Sequence, residues 1–179
     1  PHFEVYEHIG EVKMQVLDLR KVWEREQEKH RFVVAPEEAW LSFEWDAPYP
    51  LSTVWEYLTS TRLEQRWAGY DLVERTDTLG GRFQPETTYH CAHGELHFFN
   101  KILDWKPFEY VSLEQFISIG IKLVQTRRVQ TSPTGTKLII HVREPETPVT
   151  DELRNVVVEA YNQAAAGLIK QLQTYFPSE

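Results

Sequence analysis

The sequence predicts an α+β domain in which a curved antiparallel sheet wraps one long C-terminal helix, with two short helices after the first strand. Three observations predict it. Between Asp71 and Arg143, six strand-like stretches are separated by turn residues at hairpin spacing. From Leu153 to Tyr175, apolar residues recur every three to four positions, a stripe nearly seven turns long. Ahead of both, an alternating stretch from Leu41 to Asp46 leads straight into short helical patterns.

The N-terminal residues differ from the rest. Val12, Met14 and Val16 alternate with polar positions as a short strand does, and Leu19 to Arg31 is charge-dense and helix-compatible. Glu24 and Glu28, Glu26 and His30, and Arg25 and Lys29 fall at i,i+4 spacing, although only some of these pairs are of opposite sign. Such a segment cannot form its own core. Residues 1–36 are expected to be a solvated connector or the tail of an upstream domain, and residues 37–179 the folded domain. The chain opens at Pro1 without an initiator methionine and is expected to be a piece of a longer protein.

Within the domain, Leu41, Phe43 and Trp45 alternate with Ser42, Glu44 and Asp46 before Pro48 and Pro50 end the strand. Ser52 stands where an N-cap belongs. Val54, Trp55 and Leu58 then form an apolar stripe, which Thr59 to Thr61 interrupts before Leu63 and Trp67, so two short helices meet at a kink. Strands are expected over 71–78, 87–93, 95–105, 110–119, 122–132 and 137–143. Gly80-Gly81, Gly94, Lys106-Pro107, Gly120 and Ser132-Pro133-Thr134-Gly135 mark the turns. In the last strand, Leu138, Ile140 and Val142 point one way and Lys137, Ile139, His141 and Arg143 the other. Thr150 caps the closing helix, Asp151 and Glu152 place negative charge where the helix dipole favours it, and Pro177 closes it. A sheet curved about a single helix leaves volume between them, so a cavity is expected there.

Composition narrows the classes. The 179 residues are 26% charged and 41% hydrophobic, with six Trp, eight Tyr and nine Phe, enough apolar surface for one core and no signature of disorder. A net charge of −8 repels a nucleic-acid backbone or an anionic membrane, and no basic patch overrides it. The single cysteine, Cys91, cannot form an internal disulfide, so no oxidising compartment is required and a cytoplasmic location is expected. No apolar run approaches the roughly 18 to 20 residues of a membrane span, and the first thirty residues lack a signal-peptide pattern. Neither nucleic acid nor membrane insertion is expected.

Asp46-Ala47-Pro48, Val54-Trp55-Glu56-Tyr57-Leu58-Thr59, and Leu63 to Trp67 followed by Gly69 resemble the opening of the START-like (SRPBCC) superfamily. That superfamily includes polyketide cyclases, the birch-pollen allergen and activators of a chaperone. Ile102-Leu103-Asp104-Trp105-Lys106-Pro107-Phe108-Glu109-Tyr110 resembles its strand-turn-strand step, and the long closing helix is in place. The resemblance covers about Trp40 to Phe176; each motif is loose, and their order and spacing carry the specificity. It implies a helix-grip fold and the binding of a ligand. Tyr6 to Lys13 and Tyr89-His90-Cys91-Ala92-His93-Gly94 also resemble bacterial proteins in which such a domain follows a class III adenylyl-cyclase-like domain. That match implies an upstream cyclase-like domain and no nucleotide chemistry in this chain.

The densest polar cluster is His90, Cys91, His93, Glu95 and His97, and alternation places the last four on one face. Cys and His are metal-ligand types, but Gly94 bends or ends the strand and i,i+2 positions alone cannot surround an ion. With no C-x-x-C or H-E-x-x-H spacing, neither a metal nor another cofactor is expected. Cys91 with His93 as base would suit a nucleophile, yet a catalytic thiol needs an electropositive, partly exposed site, and no catalytic residue is assigned. His90 and His93 either offer a donor and an acceptor to a cavity or are satisfied structural histidines. Arg127 and Arg128 must face opposite ways; the inward one either holds an anionic ligand or sits at the rim, paired with Glu114 or a helix carboxylate.

Gly80-Gly81-Arg82 lacks the spacing of a phosphate loop and reads as a turn. Ala164-Ala165-Ala166-Gly167 removes bulk from the long helix, for close packing or for a guest. The aromatics Trp67, Tyr70, Tyr89, Phe99, Trp105, Phe116 and Tyr161 suffice to line an apolar pocket with hydroxyl tips. With Cys91, His93, Arg127, Ala165 and Leu168 they form the expected ligand-binding set.

Three functions fit. The first is binding of an apolar or amphipathic small molecule between sheet and helix, as a sensor or regulatory module. The second is an enzyme of the polyketide cyclase or aromatase kind, with a His or Tyr shuttling a proton. The third is a protein-interaction domain with a filled core, in which Trp40 and the connector Arg25 to Phe32 make the contact. A cavity of a few hundred Å³ favours the first two and full packing the third.

Overall fold

Alternating side chains build seven strands into one antiparallel sheet. In the computed structural model, the described residues are 31–76 and 84–176, together with Lys13, Gln15, Leu17 to Leu19, Lys21, Val22 and Arg25. β1 (Ala39–Ala47) is followed by helices α1 (Leu51–Thr59) and α2 (Thr61–Ala68). β2 (Leu72–Thr76), β3 (Thr88–His93), β4 (Leu96–Lys106), β5 (Tyr110–Ile117), β6 (Ile121–Ser132) and β7 (Gly135–Arg143) then form a meander, and α3 (Asp151–Tyr175) closes the chain. The strand order β1-β7-β6-β5-β4-β3-β2 brings the first strand beside the last. This is the α+β helix-grip arrangement that the sequence predicts.

Two compact units divide between Phe32 and Val33. In the N-terminal unit the described positions from Lys13 to Arg25 are all helical. Val12, Met14 and Val16, the expected short strand, lie outside the described residues, but Lys13 and Gln15 between them are helical.

In the second unit the inner face of the sheet carries cross-strand rows. Cys91, Phe98, Ile117 and Ile121 form one, and Tyr89, Asn100, Gln115 and Leu123 the next. Ile102, Leu113, Gln125, Val142 and Leu41 follow, then Trp105, Val111, Arg127, Ile140 and Phe43. Leu138, Ile140 and Val142 do face the core, but Ile139 and His141, on the outer face, are buried as well. Val34 runs over that face and donates its backbone N–H to Thr126 Oγ1 at 2.8 Å; Thr126 is the cross-strand partner of His141.

Local signals are kept except at α1. The helix starts at Leu51 with Pro50 in the N-cap position, so Ser52 lies within the first turn and caps nothing. The fixed φ of Pro50 sets the start, and its carbonyl accepts from the N–H groups of Thr53 and Val54. Ser60 breaks the backbone between α1 and α2 as expected, and Thr150 Oγ1 accepts from Leu153 N at 3.3 Å to cap α3. Gly80-Gly81 and Arg82 lie outside the described residues. Among the described residues, no helix is long and apolar enough to cross a membrane.

Candidate ligand-binding site

The long helix does not lie flat on the sheet. Its backbone comes closest to α2 and to the edge strand β1, and it stands off the middle strands. The small side chains allow both halves of this arrangement. At Gly167 a Cβ would run into the backbone carbonyl of Trp67, so the missing side chain lets α3 press against α2. Half a turn earlier, Ala164 and Ala165 leave space instead, and a cavity of about 300 Å³ opens between helix and sheet. That is about ten waters' worth of liquid volume, at the lower end of the range for small-molecule sites.

Most of the wall is apolar: Trp45, Leu58, Trp67, Phe98, Leu138, Ile140 and Leu168 line it, with the alanines of α3 opposite the sheet. Trp67 is held by its indole N–H, which donates to the Tyr57 carbonyl at 2.9 Å. Tyr161 stacks on Phe43, with ring centroids 4.9 Å apart, and Tyr70 leans on Phe98.

Much of the polar lining lies on the sheet floor. Arg127 Nη1 donates to Glu64 Oε1 at 3.0 Å, and its Nε donates to Gln125 Oε1 at 3.1 Å. Both members of the ion pair are nearly inaccessible, Glu64 at 2% and Arg127 at 6%. Gln115 donates to Asn100 Oδ1 at 2.9 Å in the neighbouring row. The Tyr161 hydroxyl is buried with no hydrogen-bond partner among the described residues. His93 sits exposed at the edge of the cavity; because a carbonyl only accepts, its Nδ1 donates to Gly69 O at 3.0 Å.

Burial holds these groups in fixed protonation states. Burial works against the Arg127 charge, but Glu64 beside it overcompensates and keeps the guanidinium firmly protonated. Burial first and the Glu64 charge second raise the Tyr70 and Tyr89 phenols; burial raises Tyr161 against the opposing pull of Arg127. The Cys91 thiol is pushed well above its ordinary value, again by burial first and Glu64 second. Thiolate is the reactive form, so iodoacetamide at pH 8 is expected to alkylate Cys91 at least ~100-fold more slowly in the native protein than in urea. Comparable rates in a mass-spectrometric time course would show an accessible thiolate and reverse that assignment.

Neither a family model nor a curated protein matches the sequence. Solved structures do match it. DynU16, from the dynemicin biosynthetic locus, superposes with a TM-score of 0.62 at 16% identity over 78% of this chain and 49% of its own. Ara h 8.0201 gives 0.61 at 14% identity over 75% of this chain and 97% of its own. The MLL2253 protein of Mesorhizobium loti gives 0.60 at 15% identity over 75% and 96%. The chain has the START-like helix-grip fold. It spans about half the length of DynU16 and nearly all of the other two.

This helix-grip domain brings Trp67, Tyr70, His93, Arg127, Tyr161, Ala165 and Leu168 of the expected set together around the cavity. Tyr89 and Cys91 face inward but are buried beside the lining, and Trp105 packs on Trp55 with centroids 5.6 Å apart. A register shift between Ile102 and Asp104 separates Trp105 from the floor residues of its own strand. Phe99 and Phe116 are corrections: they lie on the outer face, 49% and 44% exposed. Gly94, at φ +58°, turns the chain so that β4 restarts at Leu96, and Leu96, Phe98 and Asn100 face in. Phe116 is the cross-strand partner of Phe99 and follows it outward.

The same turn separates the histidines. His97 joins His90 on the outer face, Nδ1 to Nε2 at 2.8 Å, so Cys91, His93, Glu95 and His97 do not share a face. His90 stacks on Phe99 and is no cavity group. Arg127 is not at the rim, nor is Glu114 its partner; Glu114 faces Lys122 at 3.7 Å, while Arg128 covers the Tyr110 ring on the outer face. Trp40 is half-buried with Arg154 over its ring. Sequence reasoning missed Glu64, Asn100, Gln115 and Gln125. Glu64 sits three residues before Trp67 on the buried face of α2, and Gln125 is two residues from Arg127 on the same strand face; both positions were signals.

Proposed function

We propose that the domain binds a small apolar or amphipathic molecule in the cavity between the sheet and α3. The observation that carries the reading is the cavity itself, about 300 Å³ with mostly apolar walls and a few hydrogen-bonding groups on the sheet floor and the facing helix. A filled core, which the protein-interaction reading requires, would leave no such space. The proton-shuttling alternative is less well served. The phenols and thiol at or beside the cavity are held neutral, and His93 is exposed with one nitrogen engaged by Gly69. A role as sensor for an attached cyclase-like domain would extend this reading and rests on the sequence resemblance alone.

Mass spectrometry of the freshly purified protein under native and then denaturing conditions tests the proposal. A compound released in stoichiometric amount on unfolding is the expected result. A bare protein that also shows no thermal shift with sterols, fatty acids or aromatic polyketides would sink it and return the question to partner binding.

A further inference from the structure

Arg127 is the only charged side chain among the described residues that line the cavity, and its counterion is built in. Glu64 holds it at 3.0 Å, and both are shielded from water. The pair therefore presents the cavity with a cation whose charge is already matched. A carboxylate entering this space would lose its hydration and meet a guanidinium whose charge Glu64, 3.0 Å away, already balances. A neutral acceptor meets no such opposition. It also finds a donor waiting, because the Tyr161 hydroxyl is buried without a partner on the helix side.

Resting on the reading that the cavity takes a small molecule, the geometry assigns that molecule a class: neutral, with an apolar body that fits about 300 Å³ and a carbonyl or similar uncharged acceptor. Tyr161 donates to that acceptor, and Glu64 disfavours anions by balancing the Arg127 charge. Glu64 is thus a positioning residue for specificity. It acts through Arg127.

Two fluorescent probes on one ring system separate the possibilities: the ketone propionyl-(dimethylamino)naphthalene and the carboxylate dimethylaminonaphthoate, each titrated into the full chain. The ketone is expected to bind at least ~10-fold more tightly. Glu64→Gln, which frees the guanidinium, is expected to gain the carboxylate by a similar factor while keeping the ketone. Tyr161→Phe is expected to weaken the ketone several-fold, blue-shift its bound emission and leave the carboxylate unchanged. A wild type that binds both probes equally, or a folded Glu64→Gln variant with an unchanged ratio, would overturn the assignment.

Should circular dichroism show that Glu64→Gln does not fold, the wild-type ratio and the Tyr161→Phe emission shift decide it. Equal affinities, or no shift, overturn it. Phenylnaphthylamine, apolar and without a carbonyl, serves as the control for the underlying reading. If it binds while the ketone has no advantage over the carboxylate, only the assignment of class fails; if none of the three probes binds, the ligand-binding reading fails with it.

Discussion

Arg127→Leu is expected to lower the free energy of unfolding by about 3–5 kcal/mol, because it leaves the Glu64 carboxylate buried without its partner. Glu64 is only 2% exposed beneath Arg127, and Gln125 Oε1 loses its donor in the same step. Removing both charges together is a different experiment. With Glu64→Leu added, no unpaired ion remains, and the double variant is expected to recover most of the loss, since apolar replacements of buried ion pairs are often neutral or better. Urea unfolding of the wild type, the two single variants and the double variant gives the coupling directly. A small loss in Arg127→Leu, within about 1 kcal/mol of wild type, would mean that solvent reaches the pair, as it does in exposed bridges. Lys137 with Glu44 is the internal control: similar in distance, 3.1 Å, but on the surface, where removal should change little.

The contrast between these two pairs also marks what the sequence made legible. Strand alternation and turn residues were enough for the meander and for Arg127 opposing Arg128, because each rests on neighbours within a few positions. Glu64 was a different matter. Its i,i+3 spacing to Trp67 marks the buried face of α2, but its partner is 63 residues away, and nothing local names that partner. The aromatic assignments failed for a narrower reason. Whether Phe98 or Phe99 faces inward depends on how many residues Gly94's turn consumes, and an error of one residue inverts the strand. The cavity was foreseeable as a consequence of curvature, but its polar floor was not, because Asn100, Gln115 and Gln125 become neighbours only through the register of β4, β5 and β6.

Gly167→Ala should destabilise the domain, against the ordinary rule. In the middle of a helix this change normally stabilises by roughly 1 kcal/mol, since Gly is the poorer helix former. Here the added Cβ meets the backbone carbonyl of Trp67, which cannot swing aside as the end of a flexible side chain would. Overpacking of this kind costs about 1–3 kcal/mol, enough to cancel the propensity gain and reverse its sign. Trp67 is also tied by the bond from its indole N–H to the Tyr57 carbonyl, so the strain falls on the contact between α2 and α3. Those two helices carry Trp67, Ala164, Ala165 and Leu168 into the cavity wall, and separating them changes its shape. Gly167→Ala is therefore expected to lose ligand affinity along with stability. Ala166→Gly, one position earlier and exposed, should lose about 1 kcal/mol through propensity alone and leave affinity unchanged. Thermal unfolding and probe binding measured on both variants separate the two causes: a Gly167→Ala protein more stable than wild type would show that α3 does not press on α2, and the stand-off that opens the cavity would need another origin.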